Sequence, residues 1–585
     1  MPLNENCVLV IAPPGVALGK AVAKLAMSVG AEFVDIEDEI KQEPKTEEYL
    51  DKINATYKTP INMETITHNL PRLQVAELWK LALARCVRKL RDSKKHVRIL
   101  SGHLVYYSTK RSEFYSVADF SPLLQDTTHA LKIRINKVLL LIDDVYDMYM
   151  RLPELYSPSQ IEPLMERMNV DITKASKETM SRVTMSWQTR NLLHLLSWRN
   201  VEPIIAENLA RQLNAEFLIW PAKQLIKAIK LWLTAPSQAV YLSHPIGDPR
   251  RQRNSTGAWS SFIKEINNLQ DTFAKHSITL AAPTGIDEYR FEEGKSHGGE
   301  LPHYTGNLTE RWPLISGSST LYTRPDAVKD PQYLKLMKVR YWDPNARELK
   351  ELSGNYSQVL KDEIRSNCQV LITEIESQIS SRDFLFVYNT KGLLVYRPYH
   401  SKEAKASFSG GVDAEVRLWE DIVQLGLTRR IAFVHFEPDV KLMLTAKTGI
   451  NEEFVDQIWT LLKIWKVPRD MVKGMVSNRG NVKEVEDILN RSNLAQADKA
   501  KLEREFHDNW ETAKVELLRK YLSNGVQVDD RNVGIWLVKN SKSFQLESLN
   551  VAHFLRNGTP RGNNWESTAG SLIDDKLVKS QVSGR

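Results

Sequence analysis

A chain of 585 residues is longer than one hydrophobic core usually serves, and its 42% apolar content is ordinary for globular folds, so several domains are expected. Three cysteines, Cys7, Cys86 and Cys368, are too few and too far apart for a disulfide framework or a four-cysteine zinc site, which points to a reducing, cytoplasmic setting. A net charge of +7 is a mild excess that suits anionic small molecules such as nucleotides without arguing for nucleic acid, and neither a signal peptide nor a membrane-spanning apolar run is read.

In chain order, the spacing predicts a buried strand over Cys7–Ala12, the turn Pro13-Pro14-Gly15, a helix over Lys20–Val29 and a strand over Glu32–Ile36. Asp35, Glu37, Asp38 and Glu39 after that strand read as a solvated face. Pro71 opens a long amphipathic helix with Val75, Leu78, Leu81 and Leu90 on one side, followed by strands over Val97–Leu100 and Val138–Ile142 and a helical stretch to about Leu233. Strands separated by helices imply a parallel, helix-covered sheet.

A second α/β unit starts with a strand over Ala239–Ser243. It continues with a helix carrying Trp259, Phe262, Ile263, Ile266, Leu269 and Phe273, then strands over Ile278–Ala281, Asp383–Tyr388, Leu393–Tyr396 and Ile431–His435. The stretch from about Phe291 to Asn355, with Gly298-Gly299 and several prolines, reads as an insertion or lid. From about Asn451 the pattern is mostly helical, and the polar stretch after Asn563 reads as loose. The expected fold is therefore a multidomain α/β protein with an α/β domain over 1–235, a second over 236–445 with its insertion at about 291–355, and a mostly helical module over 446–585.

The run from Ala12 to Ala21 lies between a strand and a helix, where backbone N–H groups and a helix N-terminus suit phosphate. Gly15 and Gly19 permit close approach and Lys20 supplies charge. Two consecutive carboxylates, Asp143 and Asp144, follow the Val138–Ile142 strand. Together these segments resemble the P-loop kinase superfamily, adenylate-kinase-like in flavour, over about the first 200 residues. The resemblance implies nucleotide and phosphate binding at Gly15, Gly19, Lys20, Asp143 and Asp144, with Mg and ATP as the cofactors of that domain. Pro14 stands where the first glycine is expected and Ala21 where a Ser/Thr would ligate magnesium, so binding is expected more than turnover.

In the second unit, Ser409-Gly410-Gly411 turns into a helix pattern with Val416, Trp419 and Val423, and delivers Glu415 in its first turn, where the macrodipole favours an anion. Cleavage of an N-glycosidic bond passes through an oxocarbenium-like state, so it needs a carboxylate at the anomeric carbon and a second group to relieve charge on the departing base. Val240-Tyr241-Leu242-Ser243-His244-Pro245, Arg382-Asp383 and the glycine turn before Glu415 resemble the nucleoside 2-deoxyribosyltransferase family and its nucleotide N-glycosidase relatives, over about 200 residues. The resemblance implies a flavodoxin-like domain with Glu415 as nucleophile, Tyr241 orienting it and Asp383 handling the base, and needs no cofactor. Ser409 stands six positions before Glu415 where that family carries an acid. The basic loop after the first strand, with His244, Arg250 and Arg251, suits a phosphate, and Ser409, Gly410 and Gly411 suit close approach of the substrate.

The expected activity is therefore hydrolysis or transfer at the N-glycosidic bond of a nucleotide, in salvage or antiviral defence. The alternatives are a P-loop NTPase or nucleotide kinase, or a non-catalytic nucleotide-sensing assembly protein. A small-molecule nucleotide or nucleoside is the expected partner, with no membrane or nucleic-acid partner, and self-association into a homo-oligomer is compatible with the chain. No metal site is read, since neither His pairs at ligand spacing nor a Cys/His cluster occur.

Overall fold

The computed structural model describes residues 6–16, 18–55, 60–108, 113–118, 120, 133–143, 145–150, 152, 161–222, 226–234, 238–244, 258–275, 278–282, 339–352, 356–389, 393–396, 430–436, 452–478, 482–522, 533–538 and 546–548. The fold is mixed α/β. The chain divides into two compact units, Met1–Ala239 with Arg250–Thr390, and Val240–Pro249 with Lys391–Arg585.

The first unit begins with β1 (Asn6–Ile11), α1 (Leu18–Val29), β2 (Glu32–Asp35) and α2 (Ile36–Lys41). Next come α3 (Pro44–Lys52), α4 (Met63–Asn69), α5 (Arg72–Asp92), β3 (Val97–Gly102) and the hairpin β4 (Val105–Ser108) with β5 (Glu113–Ser116). The chain then runs through β6 (Ile135–Ile142), α6 (Val145–Met150), α7 (Ile161–Arg167), α8 (Lys177–Gln212), β7 (Glu216–Pro221) and α9 (Ile226–Thr234).

The five-stranded sheet has the order β2-β3-β1-β6-β7, and all four pairings are parallel. Its central strands are apolar on both faces, as helices on each side require: Val8, Leu9, Val10 and Ile11 of β1 and Val138, Leu139, Leu140, Leu141 and Ile142 of β6 are all buried. Each such side chain contributes about 1.5–3 kcal/mol of transfer free energy. Helix α5 follows from its pattern, since Val75, Leu78, Trp79, Ala82, Leu83, Cys86, Val87 and Leu90 recur at three- and four-residue steps and are the residues it buries. Helix α8 starts at Ser176, whose Oγ accepts from Thr179 N, and Pro203 removes one rung of its hydrogen-bond ladder. The helical stretch expected up to Leu233 thus contains a fifth strand, β7.

Five more described elements belong to this unit. They are α10 (Ala258–Lys275), β9 (Ile278–Ala281), the antiparallel hairpin β10 (Arg340–Asp343) with β11 (Glu348–Glu351), and α11 (Gln358–Asn389). The hairpin is the described part of the insertion expected at 291–355. Helix α11 corrects one expectation: Asp383–Tyr388 is not a strand but the end of a 32-residue helix. Leu360, Ile364 and Leu371 set a buried helical stripe at its start. With neither glycine nor proline between Gln358 and Asn389 to stop it, the helix runs on through Phe384-Leu385-Phe386-Val387-Tyr388, a short apolar run without a period of its own.

In the second unit β8 (Gln238–Ser243), β12 (Leu393–Tyr396), β13 (Arg430–Phe436) and β14 (Val533–Val538) are joined by parallel pairings, and β15 (Leu546–Ser548) adds antiparallel to β14. Between β13 and β14 lie α12 (Glu452–Leu461), α13 (Arg469–Ser477), α14 (Val482–Asn490) and α15 (Gln496–Leu522). Phe454, Val455, Ile458, Met475, Leu489, Leu502 and Phe506 form the buried core of these helices, and Trp510 meets Phe454 edge-on at 4.8 Å. The described helices of the C-terminal region thus lie within one long crossover between neighbouring strands. No described helix is long and apolar enough to cross a membrane.

Candidate functional site

Strand order decides where the first sheet opens. From β1 the chain leaves towards β2, which lies beyond β3, whereas β6 and β7 sit on the other side of β1. The connections on either side of β1 and β6 run in opposite directions, which leaves a crevice outside their C-terminal ends. The residues at those ends are the loop after Ile11 and the acid after Ile142.

In the loop, Ala12, Pro13 and Val16 are buried, and Val16 N donates to Pro13 O at 3.4 Å. Gly15 has φ +84°, and a Cβ there would stand 2.6 Å from the carbonyl oxygen of Met148 in α6. Only glycine meets both conditions, the left-handed backbone and the close approach of a second main chain. Helix α1 starts at Leu18, so Gly19 and Lys20 fall in its first turn, where free N–H groups concentrate. Gly19 is exposed and has open space around it. The side chain of Lys20 lies outside the described residues. Asp143 follows β6 directly and is 1% exposed, and its carbonyl oxygen accepts from Arg199 Nη1 of α8 at 3.1 Å. Asp144 lies outside the described residues. The sheet thus brings Gly15, Gly19, Lys20 and Asp143 to one edge.

Beside this loop stands a polar cluster that the sequence reading treated as a solvated face. Asp35 is buried, accepts from Ser101 Oγ, and caps α2 by accepting from Glu37 N at 2.9 Å and Asp38 N at 3.1 Å. Glu37 faces His103, with Oε1 3.8 Å from Nε2, and His103 Nδ1 contacts the carbonyl oxygen of Ala12. Glu202 of α8 is fully buried and accepts from Leu104 N at 2.7 Å. Burial pushes Glu37 up from the ordinary carboxylate range, against the pull of His103, and burial pushes Glu202 well above it. Burial likewise raises Asp35, although its Ser101 hydrogen bond opposes the rise. Only Asp38, which pairs with Lys41 at the surface, behaves as the solvated-face reading expects, whereas Glu39 is held by Arg85 and Lys89 of α5. The missed signal is Ser101-Gly102-His103, in which the fully buried strand β3 ends on a hydroxyl and a glycine and is followed at once by a histidine.

In the second unit, Tyr241 is fully buried on β8, opposite Leu394 of β12, and His244 just after β8 is 3% exposed. Asp383 lies within α11, and its side chain is not among those described. Glu415, Ser409, Gly410, Gly411, Arg250 and Arg251 lie outside the described residues.

The first sheet offers a helix N-terminus and a glycine-containing loop, both of which suit a phosphate, and Ala21 offers no hydroxyl. No protein-family model matches the chain, and none of the curated proteins compared with it matches.

Proposed function

We propose that the protein is a nucleotide-binding α/β protein whose first unit takes the phosphates of its ligand at the loop between β1 and α1, and whose mode is binding more than hydrolysis. The observation that carries this reading is that the connections leaving the parallel neighbours β1 and β6 run to opposite sides of the sheet, with that loop, the first turn of α1 and Asp143 at the C-terminal ends of those strands. P-loop-like is the finer description of this domain that we favour, and the missing hydroxyl at Ala21 is why we favour sensing over turnover. Calorimetric titration with ATP tests it. Binding should weaken by about tenfold or more in Lys20→Ala, the loss expected for one charge-assisted phosphate contact. Absence of binding to ATP, GTP and pyrophosphate alike would remove the reading.

A second reading, cleavage or transfer at an N-glycosidic bond by Glu415, belongs to the second unit. It is favoured by the parallel pairing of β8 with β12, which sets Tyr241 and His244 at the C-terminal part of a buried strand, where open α/β sheets bind ligands. The two readings are compatible, because a nucleotide sensed by one unit can be the trigger or the substrate of the other. Incubation with nucleosides, nucleotides and NAD, followed by chromatography for free base, tests it. Base release that Glu415→Gln abolishes is the expected result, and release that persists in the variant excludes the role of Glu415.

A further inference from the structure

We propose that His103 is a positioning residue of the phosphate loop, acting through the carbonyl of Ala12. This inference rests on the reading that the loop between β1 and α1 holds phosphate. Ala12 is the first residue after β1, so the direction of its peptide sets how the following residues, Pro13 to Val16, leave the sheet. A carbonyl oxygen only accepts hydrogen bonds, so His103 Nδ1 must be the donor. That fixes the proton on Nδ1 and leaves Nε2 to face Glu37 Oε1 at 3.8 Å. The imidazole is therefore held by the loop at Nδ1, while Nε2 faces α2 across a gap too long for a hydrogen bond.

What holds Glu37 in turn is visible along the same edge. Ser101 Oγ donates to Asp35, and Asp35 Oδ1 accepts from the N–H groups of Glu37 and Asp38, which pins the first turn of α2. The path Ser101, Asp35, Glu37, His103, Ala12 links the ends of β3 and β2 to the loop after β1. A histidine placed merely to fill space would need neither contact. Its side chain is 11% exposed, so its hydrogen bond to the loop is made largely out of water, where a directed hydrogen bond counts for more.

The test separates the two nitrogens. In His103→Asn the side-chain amide N–H can take the place of Nδ1, whereas in His103→Gln it reaches the place of Nε2, and His103→Ala has neither. ATP titration of the wild type and the three variants is read together with their thermal midpoints. The expected result is affinity within about twofold of wild type for His103→Asn, and about threefold to tenfold weaker for His103→Gln and His103→Ala, the loss worth one hydrogen bond. His103→Gln carries the decision if His103→Ala does not fold. Equal affinity in all variants, or equal loss in Asn and Gln, overturns the role of His103 while leaving the phosphate reading standing. A wild type that binds no phosphate ligand overturns both.

Discussion

Gly15 shows how one position answers two constraints. Its backbone is left-handed and its missing Cβ makes room for the main chain of α6. Replacing it with alanine adds a left-handed penalty of about 1–2 kcal/mol and an overpacking cost of about 1–3 kcal/mol. Denaturant unfolding of Gly15→Ala should therefore show a loss of about 2–5 kcal/mol, and a loss below about 1 kcal/mol would mean the loop relaxes away from α6. Glu202 makes a prediction of opposite character. Its folded carboxyl titrates above the ordinary range because it is buried, so the native state keeps a proton that the unfolded chain gives up. Stability linked to it is fully present below the unfolded carboxylate range and is lost as pH rises through the raised folded value, with a slope of at most about 1.4 kcal/mol per pH unit. Glu202→Gln has no such proton, so its stability relative to wild type should improve as pH rises. Chemical denaturation at several pH values checks this, and parallel curves would show that Glu202 titrates normally.

At the scale of elements, β1, α1, β2, α5, β3 and β6 were legible in the sequence because each carries an unambiguous period or a bounded apolar run. Helix α11 was not, because the run Phe384–Tyr388 has strand composition, while the helical stripe that continues into it, Leu360, Ile364 and Leu371, lies well upstream. Strand β7 was hidden for a related reason: Phe217, Leu218, Ile219 and Trp220 are buried beside β6, but in sequence they continue the apolar texture of α8 and α9. Strand β14 likewise lies after four helices, and nothing local marks it as the neighbour of β13. The helical assignment of α11 is directly testable. Ser380→Pro sits in its interior and should cost about 3 kcal/mol or more, measured by denaturant unfolding, whereas a loop preceding a strand would tolerate it. Of the candidate site, the loop from Ala12 and the acid at 143 were legible as a strand-loop-helix pattern. The cluster of Asp35, Glu37, His103 and Glu202 was not, because it assembles from four elements, and in sequence its acids look like a charged surface.

For the whole molecule, the central proposal is that nucleotide phosphates bind at the C-terminal end of β1 in the first sheet. The most direct measurement is hydrogen–deuterium exchange with and without ATP, resolved along the chain. Slower exchange is predicted in peptides covering Ala12 to Lys24 and the segment around Asp143, because phosphate would accept from the free N–H groups of the loop and of the first turn of α1. Unchanged exchange in those peptides at saturating ATP, or protection confined to residues of the second unit, would contradict the account.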